Sequence, residues 1–96
     1  MKEPVFSPLA VQDLDGILDY IAADRPAAAI KFVAKLKERC RLLARFPLIG
    51  SSREELAKGL RAFSCGSYVI YFRPQGKSVR IERVLHGARD AAAFFR

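Results

Sequence analysis

Apolar residues in the first half of the chain recur at helical spacing. Pro4–Ser7 forms a short strand-like segment, and from Ala10 to Ile21 the apolar positions then fall on one stripe of a helix over about residues 8–23. Ser7 is suited to cap that helix, and Pro8 follows at the first helical position, where its missing N–H costs nothing. The pattern therefore predicts a strand followed by an amphipathic helix.

A second helical stripe begins at Pro26, after the break Asp24-Arg25. The apolar positions of this second helix are Ala29, Phe32, Val33, Leu36, Cys40 and Leu43. Pro47 ends the helix, because the residue before a proline is pushed out of the α region. The link between the two helices is very short, so the sequence predicts an antiparallel helix hairpin.

The second half of the chain has the period of β-strands. A polar loop from Pro47 to about Lys58 comes first. Three strands are then predicted: Leu60–Ser64; Ser67–Arg73, which is apolar on both faces; and Ser78–Leu85, which alternates apolar with charged residues. Glycine- and proline-containing turns separate them. The tail from Arg89 to Arg96 is compatible with a short final helix.

The predicted fold is therefore α+β, in the order β-α-α-β-β-β. It comprises an N-terminal strand, a helix hairpin and a three-stranded antiparallel meander. The hairpin is expected to bury its two apolar stripes against one face of the sheet. With 96 residues, the chain is expected to be one domain over residues 1–96.

Charge adds the first indication of function. Seventeen Lys and Arg residues against ten Asp and Glu give a net charge of +7, which favours an anionic partner: nucleic acid, an acidic protein or an acidic protein segment. Cys40 and Cys65 have neither metal-ligand nor redox spacing, so neither a metal nor a cofactor is predicted. With no leader pattern and no membrane-length apolar run, a cytoplasmic location is expected.

Over nearly its whole length the sequence resembles the ParE branch of the RelE/ParE toxin superfamily. No short motif is specific, and the order of the motifs carries the resemblance. They are Tyr20-Ile21, Pro26-Ala27-Ala28, Phe32, Phe46-Pro47, Gly50, Arg53, Leu56, Gly59-Leu60-Arg61, Ser67–Arg73 and Ile81–Asp90.

This resemblance implies the toxin component of a type II toxin–antitoxin system. Toxins of the branch are cytoplasmic and are neutralised by a ParD-like antitoxin, whose N-terminal part binds DNA and whose flexible C-terminal part wraps the toxin. The complex commonly represses its own operon, so operator DNA is expected to be contacted only through the antitoxin. Some members poison DNA gyrase by binding. The chain is accordingly expected to bind gyrase and not to be an enzyme.

The sister branch offers an alternative, a ribosome-dependent mRNA endonuclease. That reaction needs an acid, a base and cations for the transition state. Here no tyrosine follows Tyr71, and His86 is the one histidine. A nuclease would have to rely on His86, Arg61 and Arg83, whereas a simpler role for His86 is a local hydrogen bond at a strand end. A nucleic-acid binder is the third class, but no helix-turn-helix or zinc spacing supports it.

For a binding toxin, two tyrosines and the arginines of the strand region, the preceding loop and the tail are the candidate contacts, because a planar guanidinium pairs well with carboxylates. The residues expected to contact antitoxin or target are Tyr20, Arg53, Arg61, Tyr71, Arg73, Arg80, Arg83 and Arg89. Each arginine has a simpler alternative role on a solvated sheet face. The antitoxin tail is expected to lay an amphipathic helix along the hairpin and to add a strand to a sheet edge. Phe94 and Phe95 are expected to pack onto the domain.

Overall fold

The computed structural model describes residues 3–95 and confirms the predicted α+β fold. The elements are β1 (Val5–Phe6), α1 (Pro8–Ala22), α2 (Pro26–Arg45), β2 (Ser51–Ser52), β3 (Arg61–Cys65), β4 (Tyr68–Gln75), β5 (Ser78–His86) and a 3-10 helix (Ala91–Phe94). The bounds of both helices agree closely with the apolar stripes. The sequence pattern does not predict β2, because two adjacent serines carry no alternation of polarity.

The five strands form one sheet in the order β1-β5-β4-β3-β2. The predicted meander β3-β4-β5 is antiparallel throughout, and β2 adds to it through Ser51 opposite Ala62. β1 runs parallel to β5 and pairs only with Arg80 and Ile81. The C-terminal half of β5 is therefore an edge that β1 does not cover.

A β-bulge interrupts the alternation of β5. Tyr71 pairs with Arg83 and Phe72 pairs with Ile81, so Glu82 has no partner of its own. Ile81 and Val84 consequently both reach the core beneath the helices, although regular alternation would put them on opposite faces. The sequence-based expectation of regular alternation along this strand is corrected at Glu82.

The main core lies between the helix hairpin and one sheet face. Its largest fully buried side chains include Leu36, Leu43, Ile70, Phe72 and Ile81. A smaller cluster on the opposite face contains Leu60, Ala62, Tyr71 and Leu85, and Leu56, Phe94 and Phe95 pack against it. The expectation that Phe94 and Phe95 pack onto the fold is confirmed, while Arg96 lies outside the described residues.

Ser7 joins β1, α1 and β5. Its side-chain oxygen accepts a hydrogen bond from the Ala10 N–H at 3.0 Å, which confirms the predicted N-cap. The same hydroxyl donates to the Glu82 carbonyl at 2.7 Å, and the Ser7 N–H donates to the Ile81 carbonyl at 2.9 Å. These bonds fix the start of α1 against the edge of β5.

The two free cysteines are buried in the main core. Burial raises the pKa of the Cys40 thiol to about 12, because the interior disfavours the thiolate. The thiolate is the form that reacts, so at about pH 8 we expect Cys40 alkylation to be at least about a hundredfold slower in the folded protein than in denaturant.

Peptide mass spectrometry after timed labelling measures that ratio, and comparable rates would contradict the burial of this thiol.

The raised pKa of Cys40 also makes the stability of the fold depend on pH. The unfolded chain releases the Cys40 proton at a lower pH than the fold does. This contribution to stability is therefore complete below an ordinary thiol pKa of about 8.5 and is lost as the pH rises further.

Candidate functional site

Two adjoining grooves follow the flank of α1 that faces β5. The first, called the α1–β5 groove, has a volume of about 580 Å³, and its lining includes Gln12, Gly16, Tyr20, Tyr68, His86 and Arg89. The second, called the arginine groove, has a volume of about 370 Å³, and its lining includes Leu9, Arg73, Arg80, Glu82, Phe94 and Phe95. Arg83 lines both grooves. Together they form an extended surface beside the edge of β5.

The edge of β5 in the α1–β5 groove offers backbone groups to a partner. The Ser7 N–H and hydroxyl donate to the carbonyls of Ile81 and Glu82. Further along the strand, Asp13 Oδ2 accepts from the Val84 N–H at 2.9 Å. The Val84 N–H thus points away from β4. In an antiparallel pair the direction alternates, so the backbone groups of His86 point the same way. The Arg89 N–H donates to the His86 carbonyl at 2.9 Å, so the groups that remain open to an added strand are the Val84 carbonyl and the His86 N–H.

A carboxylate–guanidinium pair ties α1 to β5 between the two grooves. Arg83 Nε lies 2.8 Å from Asp13 Oδ2, and an Arg83 terminal nitrogen lies 2.8 Å from Asp13 Oδ1. The two side chains are 14% and 12% exposed. The hydrogen bonds to Asp13 raise the pKa of Arg83. Because Asp13 also holds the Val84 N–H, this one carboxylate serves three donors and fixes the spacing of helix and strand.

Phe94 connects the C-terminal 3-10 helix to the Asp13–Arg83 pair. The guanidinium carbons of Arg83 and Arg89 each lie 4.8 Å from the centre of the Phe94 ring. Such cation–π contacts are attractive and hold the planar side chains in place. Asp90 caps the 3-10 helix by accepting from the Ala92 N–H at 3.2 Å. Arg89 is itself exposed, so its charge remains accessible to a partner.

The arginine groove combines excess positive charge with apolar walls. Glu82 lies 3.2 Å from Arg73 Nε and 3.4 Å from Arg80 Nε, so a single carboxylate serves two guanidinium groups. Arg73 Nε is close enough to Glu82 for ion pairing but is not aligned for a hydrogen bond, and within residues 3–95 it has no other hydrogen-bond partner. Leu9, half exposed, lines the groove beside Phe94 and Phe95. The groove suits a segment that carries both a carboxylate and apolar side chains.

His86 is held locally at the end of β5. Its Nδ1 accepts a hydrogen bond from the Ala88 N–H at 3.1 Å, which requires an unprotonated Nδ1. The Tyr68 ring meets the imidazole edge-on, with the ring centres 5.2 Å apart. This is the simpler role considered for His86 from the sequence, a local hydrogen bond at a strand end.

The structure does not gather the three residues of the nuclease alternative. Arg61 begins β3 opposite Phe72, whereas His86 lies opposite Tyr68, at the other end of the β3-β4-β5 meander. Arg61 donates to the carbonyls of Leu48, Ile49 and Gly50. Of the three residues, Arg83 and His86 line one groove, and Arg61 does not.

The other predicted contact residues divide into two groups. Tyr20, which is 79% exposed, lines the α1–β5 groove with Arg83 and Arg89, and Arg73 and Arg80 line the arginine groove. Three others lie elsewhere. Arg53 bonds to Ser51 and to the Ser52 carbonyl, Arg61 holds the loop before β2, and Tyr71 is only 8% exposed and packs on the Phe95 ring.

Apart from Tyr20, sequence reasoning missed the α1 wall of this surface. Its residues are spaced at helical intervals beside the buried stripe: Leu9, Gln12, Asp13, Gly16 and Tyr20. The helical spacing of these residues is the signal that could have found the wall. The stripe mixes polar, apolar and glycine residues, so it shows no hydrophobic periodicity that would mark it out.

Metal and membrane chemistry have no visible basis in residues 3–95. No group of three or more His, Cys, Asp or Glu side chains in this range could hold a metal ion. No helix of the described part of the chain is long and apolar enough to cross a membrane.

The fold matches that of a known toxin–antitoxin structure. The solved structure titled "Chromosomal ParDE TA system from P. aeruginosa" superposes with a TM-score of 0.76 at 26% identity, covering 90% of this chain and 96% of the other. These features define the class: a small α+β toxin of a type II toxin–antitoxin system. The family model for the ParE toxin of the type II toxin–antitoxin system parDE matches residues 5–91, and the chain belongs to that family.

Two toxins of Caulobacter vibrioides are similar in sequence. Toxin ParE1 is 33% identical over 94 residues, which is 97% of each chain. Toxin ParE3 is 39% identical over 51 residues, which is 53% of this chain and 51% of ParE3. The first of these matches extends the family resemblance across both grooves, from α1 to the C-terminal 3-10 helix.

Proposed function

We propose that this ParE-family toxin acts in the cytoplasm by binding, and that a ParD-like antitoxin neutralises it by occupying the α1–β5 groove and the arginine groove. The single observation that carries this proposal is the edge of β5 that β1 leaves uncovered, which lies in the α1–β5 groove and is lined by arginines. Operator DNA is contacted by the antitoxin alone. The toxin supplies the surface that orders the antitoxin tail.

The antitoxin tail adds a strand to β5 in the α1–β5 groove. Backbone pairing at the Val84 carbonyl and the His86 N–H gives affinity without sequence preference, and alternate side chains give specificity. Acidic residues of the tail meet Arg89 in the first groove and Arg80 in the second. Its apolar residues cover Tyr20 and Leu9, both of which are at least half exposed in the free toxin. An acidic, amphipathic segment satisfies all of these surfaces.

The proposed target is DNA gyrase, which the toxin poisons by binding. Family membership supports this target, since gyrase poisoning is the activity implied by the ParE resemblance. The three residues considered for mRNA cleavage are not gathered in one place, because Arg61 lies at the other end of the meander from His86, and this also favours binding. The local bond at His86 Nδ1 agrees with a residue that has a structural role.

Two parallel assays test this target. The purified toxin is titrated into a gyrase supercoiling and DNA-cleavage assay, and into a translating extract read for mRNA cuts. We expect lost supercoiling or broken DNA with intact mRNA, and we expect His86→Ala to be as potent as wild type. Cut mRNA that disappears with His86→Ala would overturn the proposal in favour of the nuclease.

A further inference from the structure

A second exposed surface lies apart from both grooves, on the outer face of α2 and the loop that follows it. We call it the α2–loop surface and define it by Lys31, Lys35, Arg41, Arg45, Phe46 and Leu48. Leu48 is 73% exposed and Phe46 is 50% exposed. Neighbouring exposed apolar side chains with a rim of charged residues mark protein-interaction sites. None of these residues lines the surface assigned to the antitoxin.

The loop that carries Leu48 is held in one shape. The Arg61 guanidinium donates to the carbonyls of Leu48 at 2.6 Å, Gly50 at 3.2 Å and Ile49 at 3.4 Å. Gly50 has a φ of 82°, and a Cβ there would collide with the carbonyl oxygen of Ala62. A binding loop fixed in advance loses little conformational entropy when a partner docks. The hydrogen bonds of Arg61 thus hold Leu48 and Phe46 in position for a partner.

The charge of the α2–loop surface indicates the chemistry of its partner. Among the exposed charged residues of α2, five are cationic and one, Glu38, is acidic; the cations are Lys31, Lys35, Lys37, Arg41 and Arg45. α1 contains three aspartates and no lysine or arginine. The positive field is therefore concentrated on one helix of the hairpin. Complementary charge steers a partner of opposite sign to such a face.

We propose that the α2–loop surface docks the toxin's target, an acidic protein surface with an apolar pocket for Leu48. A protein is favoured over a nucleic acid because an aliphatic side chain has no stacking role with bases, whereas it fills an apolar pocket well. Next to Leu48 along the loop, the half-exposed Phe46 ring has the Arg45 guanidinium carbon 5.6 Å from its centre. This inference rests on the proposal that the toxin acts by binding a protein.

Two measurements together test whether the α2–loop surface docks the target. One is growth arrest on induced expression of the toxin, and the other is affinity for the ParD-like product of the adjacent reading frame. Leu48→Glu removes the apolar contact and adds a charge that an acidic partner repels. We expect it to abolish growth arrest while changing the antitoxin Kd less than about twofold. Lys35→Glu combined with Arg41→Glu is expected to do the same. Val11→Glu, at an exposed apolar residue of α1, is the matched control and is expected to arrest growth normally.

The outcomes distinguish the competing occupants. Full growth arrest by Leu48→Glu and by the charge-reversal variant would overturn the inference. Loss of arrest only on charge reversal would also overturn it, and would indicate a nucleic acid. A matching loss of antitoxin affinity would assign the surface to the antitoxin instead. Thermal melting of each variant checks that the fold is intact. If wild-type toxin leaves gyrase unaffected, the proposed target fails, whereas the growth comparison still decides this inference.

Discussion

Gly16→Trp is expected to weaken antitoxin binding strongly without unfolding the toxin. Gly16 is an exposed residue in the middle of α1, it lines the α1–β5 groove, and a Cβ there meets no atom within 4 Å. An indole fits that space in the free toxin but occupies the volume that the antitoxin tail needs. We expect Gly16→Trp to weaken binding at least about a hundredfold, which is about 3 kcal/mol.

Two control variants isolate the steric effect. Gly16→Ala adds only a methyl group and is expected to bind normally, while raising the melting temperature, since alanine in a helix interior is favoured over glycine by about 1 kcal/mol. Asp15→Trp places the same indole on an exposed position of α1 that does not line the groove. Isothermal titration calorimetry with the antitoxin compares all three. Tight binding by Gly16→Trp would place the antitoxin elsewhere.

The second large effect concerns stability. Asp13→Ala is expected to destabilise the fold by about 3 kcal/mol, because it leaves a mostly buried guanidinium and the Val84 N–H without their partner. In a protein of this size, each kcal/mol corresponds to about 4–8 °C of melting temperature. A fall of more than about 10 °C is therefore expected in a thermal melt followed by circular dichroism.

A double-mutant cycle measures the interaction free energy between Asp13 and Arg83. Asp13→Ala combined with Arg83→Ala is expected to cost clearly less than the sum of the two single changes, because the double variant leaves no uncompensated charge. Asp15→Ala, which removes an exposed carboxylate of the same helix, is the matched control and is expected to change stability by less than about 0.5 kcal/mol. Additive effects at Asp13 and Arg83 would contradict the pairing.

Local signals in the sequence were sufficient for the helices and the meander. The stripe of α1 follows from 3.6-residue spacing, and its start follows from Ser7 and Pro8, whose roles depend only on near neighbours in the chain. The bulge at Glu82 does not follow from such rules, because it depends on how β5 aligns with β4. The parallel pairing of β1 also depends on contacts between residues about 75 positions apart.

The candidate site was predictable in its chemistry but not in its geometry. A surplus of strand arginines pointed to an acidic partner, and Arg73, Arg80, Arg83 and Arg89 do line the grooves. Composition could not reveal that Arg61 serves the loop before β2. It could not reveal either that Tyr71 is covered by Phe95. Those assignments depend on strand register and on the path of the C-terminal segment, which are properties of the whole fold.

Hydrogen–deuterium exchange of the toxin, alone and with saturating antitoxin, locates the antitoxin on the toxin surface. New protection is expected in two segments, the first three turns of α1 and the end of β5 through His86, where the antitoxin strand is expected to pair. The amides of α2 and of the 46–50 loop are expected to exchange as in the free toxin. Protection confined to α2 and that loop, with the end of β5 unchanged, would show that the antitoxin does not occupy the two grooves.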